Sequence, residues 1–420
     1  MRPPVKTKDL QGLLKELIFN LQTSIAAFQS NPTSTKLNEA LHCDEQLPDK
    51  NISALAFNAI NLLSEVQQIL EPGHLILADH FLGYTSSKCL VAAVQLQIAD
   101  VLSSSPKTLP ELAKVCGSVG RQDRLGQILR PLYNNGIFNY EPQTQLYSNN
   151  HVSTLLRKDH WTQWHNWVDL YGNEMYDIAR GIPRSIQQDS DRSSAQINFD
   201  TDQDMFTYFQ SQGWVPRLHR TLGGGAAAMA PGILEDYPWI EVADSTVIDI
   251  GGGSGALIAS LLRKFPTMRG GVYDLAAVIS HISTFFTPEG QFADIAERVP
   301  QENLIAGDFL KWVPSAEVYV MKWVLHDWKD EEAVRILQNI HKAIMMNGGT
   351  SRLVILESIL ADGKMGRLSR LGDINMMMMT ANGHERTEQQ WRSLAAQAGW
   401  NVSGIFSLRR SWVQAIELKP

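Results

Sequence analysis

The chain has 420 residues, 44% of them apolar and 19% charged, with a formal net charge of −7. That composition is ordinary for a globular protein with two or three domains, and its acidic balance disfavours nucleic acid as the main partner. No stretch approaches the roughly 18 uninterrupted apolar residues of a membrane span. The opening Met1-Arg2-Pro3-Pro4-Val5-Lys6 lacks the apolar core of a signal peptide. Cys43, Cys89 and Cys116 have neither metal-ligand spacing nor a disulfide framework, and they read as reduced, mostly buried thiols. The expectation is a cytoplasmic protein with no membrane, nucleic-acid or metal partner.

Residues 7–30 repeat apolar side chains at helical spacing (Leu10, Leu13, Leu14, Leu17, Ile18, Leu21), and residues 52–71 do the same. A connection rich in Asn, Ser and Pro separates them. Two amphipathic helices without a core of their own need a partner surface. Residues 1–75 are therefore expected to form a helical dimerisation segment. Over 76–158 the pattern changes to a helix at Leu90–Leu102, a capped helix opened by Thr108-Leu109-Pro110-Glu111, and a third at Arg121–Tyr133. A hairpin follows, from Gly136–Tyr140 and Gln145–Tyr147. This is a winged-helix plan. Its third helix offers only Arg121, Arg124 and Arg130 in an acidic chain, so a dimerisation domain fits better than a DNA reader.

Residues 159–240 are helical and aromatic (Trp161, Trp164, Trp167, Tyr171, Tyr176, Phe206, Tyr208, Phe209, Trp214), which suits either a core or the wall of a substrate chamber. The run 183–204, rich in Ser, Gln and Asp, reads as a surface loop. From 241 to 420 strands and helices alternate, with strands at 246–250, 270–274, 303–306, 317–323 and 352–358. A closing hairpin near 402–408 and 412–418 completes a largely parallel sheet. Met376–Met379 suit an adaptable apolar wall or plain core.

The run Val247-Ile248-Asp249-Ile250-Gly251-Gly252-Gly253-Ser254-Gly255 joins the first of these strands to a helix beginning at Ala256. Glycines allow positive φ and close backbone approach to a ligand, and the helix N-terminus offers free N–H groups. Asp274, 19 residues beyond Gly255, ends the next strand, where a ribose partner sits in nucleotide-binding βαβ units. These residues alone leave a dinucleotide and S-adenosylmethionine both open.

Six motifs in order resemble the caffeate-type O-methyltransferases of plants and fungi, which use S-adenosyl-L-methionine. They are Asp249–Gly255, Val272-Tyr273-Asp274-Leu275, Ala306-Gly307-Asp308-Phe309, Met321–Trp328, Glu357, and Gly383-His384-Glu385-Arg386-Thr387. With the winged-helix segment the resemblance covers about residues 80–418. It implies an α/β fold, a Rossmann-like seven-stranded methyltransferase domain behind an N-terminal α-helical winged-helix dimerisation domain, working as a homodimer. It also implies site roles. His326 is the general base, with Glu357 and Glu385 holding its ring. Asp249, Gly251 and Gly253 form the cofactor loop, Asp274 with Leu275 meets the ribose, and Asp308 meets the adenine amino group. Phe309 and Trp328 flank the adenine, and Lys322 meets the cofactor's carboxylate or backbone.

Read without the resemblance, His326 fits better as a helix cap beside Asp327, with two glutamates on the surface. The implied reaction is methyl transfer to a hydroxyl of a phenol, enol or pyridone-like small molecule in secondary metabolism. Two alternatives keep the fold. One is an S-adenosylmethionine-binding pericyclase or dehydratase, and the other a non-catalytic dimeric regulator.

Overall fold

The computed structural model describes residues 9–187, 192–346 and 351–420. It separates into two compact units, Met1–Leu62 and Leu63–Pro420. In the first, Asp9 caps the helix Leu10–Gln29 by accepting from the Gly12 N–H. The polar connection expected next contains a helix of its own, Thr33–His42. Asp49 then accepts from the N–H groups of Asn51 and Ile52, both at 2.9 Å, and opens the long helix Lys50–Leu70.

The second unit begins with the end of that helix and with Gly73–Phe81. The single helix expected over Leu90–Leu102 is instead two, Gly83–Gln95 and Ile98–Val101, because Gln97 turns left-handed at φ +54°. The break lets Ile98 and Leu102 enter the core of the small domain with Leu112, Leu125, Leu129 and Phe138. Thr108 and Glu111 close the expected capping box on Leu109–Val115. Asn139–Glu141 and Leu146–Ser148 pair as the wing, with Lys107–Thr108 as a third strand. The three cysteines are half-buried rather than buried.

The run 183–204 is not one loop. A second capping box, Ser193 with Gln196, opens the helix Ser194–Phe199, which buries Ala195 and Ile197. Its polar composition hid a cap and one apolar face; residues 188–191 lie outside the described residues. Phe209, Tyr208 and Trp214 pack with Met378 in a core of their own. Tyr208, Phe209 and Trp214, three of the nine aromatics named for that segment, and part of the methionine run are therefore plain core.

The C-terminal sheet has seven strands. They are β1 (Thr246–Ile250), β2 (Arg269–Asp274), β3 (Leu304–Ala306), β4 (Val318–Lys322), β5 (Arg352–Glu357), β6 (Asn401–Ser407) and β7 (Gln414–Lys419). Their order is β6-β7-β5-β4-β1-β2-β3, parallel from β5 to β3, with β7 antiparallel to both β5 and β6. Side chains alternate between the two faces as the pleat requires. Val247, Val354 and Leu356 face a layer holding the helices Val215–Asp236 and Ala256–Lys264, while Ile248, Leu353 and Ile355 face Asp330–Met346 and Glu388–Gln397.

The chain runs outward from β1 through β2 to β3, then returns to β4 on the other side of β1. That reversal opens a crevice at the carboxyl ends of β1 and β4, where ligands of such sheets bind. A short parallel pair absent from the sequence reading, Ile359–Leu360 with Arg386–Thr387, ties the chain around Glu385 to the end of β5.

One close approach fixes the long helix against this domain. A Cβ on Gly232 would overlap the Arg409 carbonyl, and Asp236 in the next turn accepts from the Arg409 N–H at 2.8 Å. Gly232→Ala is expected to cost about 1–3 kcal/mol of unfolding free energy, the usual penalty of overpacking. Denaturant melts of the two proteins measure it.

Candidate active site at the carboxyl edge of the sheet

The turn after β1 is built by three glycines at positive φ, Gly251 (+69°), Gly253 (+55°) and Gly255 (+75°). The Gly251 N–H donates to the Tyr273 carbonyl at 2.8 Å, so the turn is hung on β2. A Cβ at Gly253 would meet nothing within 4 Å, whereas one at Gly251 would press on Val324 at 2.8 Å. The turn therefore faces open space on one side and the segment after β4 on the other. Asp274 accepts from the Gly253 N–H (2.9 Å) and the Leu275 N–H (2.7 Å), which fixes its carboxylate at the rim. Leu275 beside it is exposed.

Asp249 lies buried beneath the turn. Burial pushes its carboxyl up to about 7, with Lys322 acting against that shift. Lys322 is held below its ordinary value by burial, opposed by Asp249 and Glu357, and its Nζ sits 4.2 Å above the Trp323 ring. Asp308 follows β3, accepts from the Leu310 N–H at 3.0 Å and pairs with Lys311 at 3.1 Å. Those bonds hold it below the usual carboxylate range. Phe309 and Trp328 meet edge-on, centroids 5.6 Å apart at 85°.

The segment after β4 carries the histidine. Trp323 takes a left-handed φ of +55°, costly for a bulky residue, and its N–H reaches the Leu356 carbonyl at 3.2 Å. The chain thereby reverses into the short turn Leu325–Asp327. Glu357, fully buried at the end of β5, accepts from the N–H groups of both Val324 and Leu325 at 2.9 Å through Oε1. Its Oε2 stands 3.4 Å from His326 Nδ1, and Glu385 Oε1 stands 3.1 Å from the same nitrogen. His326 and both glutamates are buried, so the reading of a surface cap beside Asp327 does not hold.

Burial alone would lower the imidazole pKa, but the carboxylates of Glu357, Glu385 and Asp327 outweigh it and raise the group to about 9. Burial likewise raises Glu357. Glu357 Oε2 and Glu385 Oε2 accept no hydrogen bond. The three potential ligand atoms lie within 4.8 Å of one another, the one such grouping among the described residues.

Arg386 is the functional residue that the sequence reading passed over. It is buried, donating from Nε to Asp330 (2.9 Å) and from its two terminal nitrogens to the carbonyls of Leu325 (3.0 Å) and Trp328 (2.8 Å). The backbone of His384 adds a bond to the His326 carbonyl at 2.8 Å. Adjacent residues thus grip the histidine turn twice, Glu385 at the ring and Arg386 at the backbone. An arginine next to a motif acid was the only available signal. Trp412 was missed too. It stacks on Trp164 (5.4 Å), meets Trp167 edge-on (4.4 Å) and approaches Trp323 (6.4 Å), linking the aromatic helix Trp164–Gly172 to the segment after β4.

A doubly wound sheet with a glycine turn and carboxylates at its carboxyl edge defines a Rossmann-like nucleotide-cofactor domain. The comparisons narrow the class. The O-methyltransferase domain family matches residues 243–401, and the O-methyltransferase dimerisation domain family matches 78–159. The O-methyltransferase aclM of Aspergillus oryzae is 59% identical over 95% of each chain. The O-methyltransferase gliM of Aspergillus fumigatus is 41% identical over 100% of this chain and 96% of its own. Among solved structures, CalO1, a methyltransferase in calicheamicin biosynthesis in its SAH-bound form, is 25% identical with a TM-score of 0.68, covering 83% of this chain and 98% of its own.

The chain belongs to the O-methyltransferase family. It is an S-adenosylmethionine-dependent enzyme. The residues present suit that cofactor, with a buried acid under the glycine turn for a cation and two rim acids for hydroxyl and amino donors.

Arg386→Lys keeps the charge but cannot span three acceptors. It is expected to lower kcat about 10–100-fold, as small misplacements of a catalytic group do, while cofactor affinity stays unchanged. Steady-state kinetics with calorimetric titration separates the two. Equal losses in both would make Arg386 merely structural.

Proposed function

We propose that the enzyme methylates a hydroxyl of an aromatic or enolic small molecule of secondary metabolism, with His326 as the general base. The observation that carries this is the buried trio. His326 Nδ1 is taken up by Glu385 at 3.1 Å with Glu357 behind it, so Nε2, with the Asp327 carboxylate 3.7 Å away, is the nitrogen left to face an acceptor. S-adenosylmethionine supplies the electrophilic methyl group.

In this reading the acceptor's O–H proton passes to His326 Nε2 as its oxygen takes the methyl, and S-adenosylhomocysteine is left. Glu357 and Glu385 stabilise the imidazolium that forms. Asp274 with Leu275 binds the ribose, and Asp308 accepts from the adenine amino group between Phe309 and Trp328. Gly251 and Gly253 let the loop backbone approach, over Asp249. Lys322, buried and under the influence of Asp249 and Glu357, meets the cofactor's carboxylate or backbone. The face formed by Trp164, Trp412 and Trp323 supports a flat, apolar acceptor, because indole walls stack on such rings. The dimerisation domain supports a homodimer, and the division into 1–75, 76–158, 159–240 and 241–420 remains the working domain scheme.

His326→Ala is expected to lower turnover about 10²–10⁴-fold, the usual worth of a general base, with little change in cofactor affinity. In the unaltered enzyme, mass spectrometry should find product heavier by one methyl and S-adenosylhomocysteine formed one for one. An isomerised or dehydrated product beside unconsumed cofactor would replace methyl transfer by the pericyclase or dehydratase reading.

The pH dependence has a definite sign. A histidine raised to about 9 is protonated at neutral pH and becomes a base only above that value. The kcat/KM of the free enzyme should therefore climb through the alkaline range as one proton is lost. Glu385→Gln removes a negative charge from the ring, so its ascending limb should move to lower pH while the plateau falls. A limb that stays in place would remove His326 from the role of base.

A further inference from the structure

The helix Arg367–Met379 takes no part in the chemistry above, yet three separate regions are tied to it. In its first half Arg370 donates to the carbonyls of Ala361 and Gly363, and Ser369 Oγ accepts from the Ala361 N–H at 3.3 Å. Ala361 and Gly363 lie just beyond the short strand Ile359–Leu360, which continues the chain from Glu357. At the far end of the helix Met378 is buried with Leu170, Met175 and Phe209. Midway, Asp373 Oδ1 accepts from the backbone N–H of Glu385 at 2.8 Å. Gly372 lies against the same glutamate, since a Cβ there would stand 3.6 Å from Glu385 Oε1.

Glu385 needs such a tie. Residues 380–385 form neither helix nor strand, and the strand Arg386–Thr387 begins only after them. Glu385 Oε2 accepts no hydrogen bond, so the carboxylate is placed through its backbone. A hydrogen bond accepted by a carboxylate is stronger than one between neutral groups, and a group carried on a helix is held more precisely than one on a loop. The carboxylates that raise the imidazole are those of Glu357, Glu385 and Asp327. Asp373 acts on the position of one of them, not on the ring.

We propose that Asp373 is a positioning residue for the methyl transfer, holding Glu385 by its backbone so that Oε1 stays on His326 Nδ1. The proposal rests on the reading of His326 as general base. Without the tie the Glu385 backbone shifts, the 3.1 Å contact lengthens, and the imidazole loses part of what keeps it protonated. A misplacement of about 1 Å is enough to cost up to ~100-fold in rate.

The test reads His326 in the full-length enzyme without any acceptor, by nitrogen NMR titration of protein labelled at histidine. In Asp373→Ala the His326 midpoint should move to lower pH, the direction expected of Glu385→Gln. Asp373→Asn keeps an acceptor oxygen at the same reach, so its midpoint should stay with that of the unaltered enzyme. Adding Asp373→Ala to Glu385→Gln should move the midpoint no further, because two changes acting on one contact do not add. With the enzyme's methyl acceptor, kcat should fall about 10-fold in Asp373→Ala, while calorimetry finds S-adenosylhomocysteine affinity unchanged. If circular dichroism shows Asp373→Ala unfolded, Asp373→Glu replaces it. That variant keeps the charge but overreaches by one methylene, and it should shift the midpoint the same way.

A midpoint that does not move in the folded variant overturns the proposal. So does an equal shift in Asp373→Asn, which would make it an effect of charge alone, or a shift that adds to that of Glu385→Gln. A shifted midpoint beside full turnover in His326→Ala would sink the general-base reading and leave the tie between Asp373 and Glu385 standing.

Discussion

The arrangement of the site depends on how a histidine is kept inside the protein with two carboxylates. Removing one charge from water costs several kcal/mol, and a buried pair repays this only with close geometry and further hydrogen bonds. Around His326 the geometry is close, and the further hydrogen bonds fall on Glu357 Oε1, while Oε2 of each glutamate accepts none. Glu385 approaches Nδ1 at 3.1 Å, and Glu357 spends its other oxygen on two backbone N–H groups of the same turn. The carboxylate that sets the ring's charge therefore also sets the position of its backbone. Arg386 closes the arrangement from the far side by binding the carbonyls on either side of the histidine.

The sheet makes this arrangement possible. β4 and β5 are neighbours in parallel register, Lys322 opposite Leu356, so the turn after one strand lies beside the terminal glutamate of the other. β1 lies on the other side of β4, and Gly251 packs on Val324. The glycine turn and the histidine turn thus share a contact, which ties the two sides of the crevice together. Any side chain at Gly251 would be felt by the residue two places before His326.

Much of this was legible in the sequence because it is local. Strand, glycines, helix and acid follow one another along the chain, and hydrophobic alternation marks each strand to within a residue or two. The candidate site residues after β4 and β5 could be named because six motifs resemble one family. Their burial could not be read, since nothing in a single glutamate says whether a sheet covers it. The short parallel pair at Ile359–Leu360 and Arg386–Thr387 was invisible for the same reason. Two residues have no periodicity, and their pairing is decided by contacts distant in sequence. The break at Gln97 and the helix at Ser194–Phe199 show the converse, where tertiary packing overrides a plain propensity reading. Trp412 belongs to the closing hairpin in sequence but to the aromatic wall in space.

The central claim is that two buried glutamates hold a charged imidazole in the free enzyme, from which the base is released as pH rises. The most direct measurement is the nitrogen NMR titration of His326 in protein labelled at histidine nitrogen, assigned with the His326→Ala variant. The account predicts an imidazolium at neutral pH that titrates well on the alkaline side, with Nδ1 still protonated in the neutral ring because Glu385 accepts from it. A ring already neutral at pH 7, or one whose remaining proton sits on Nε2, would contradict it.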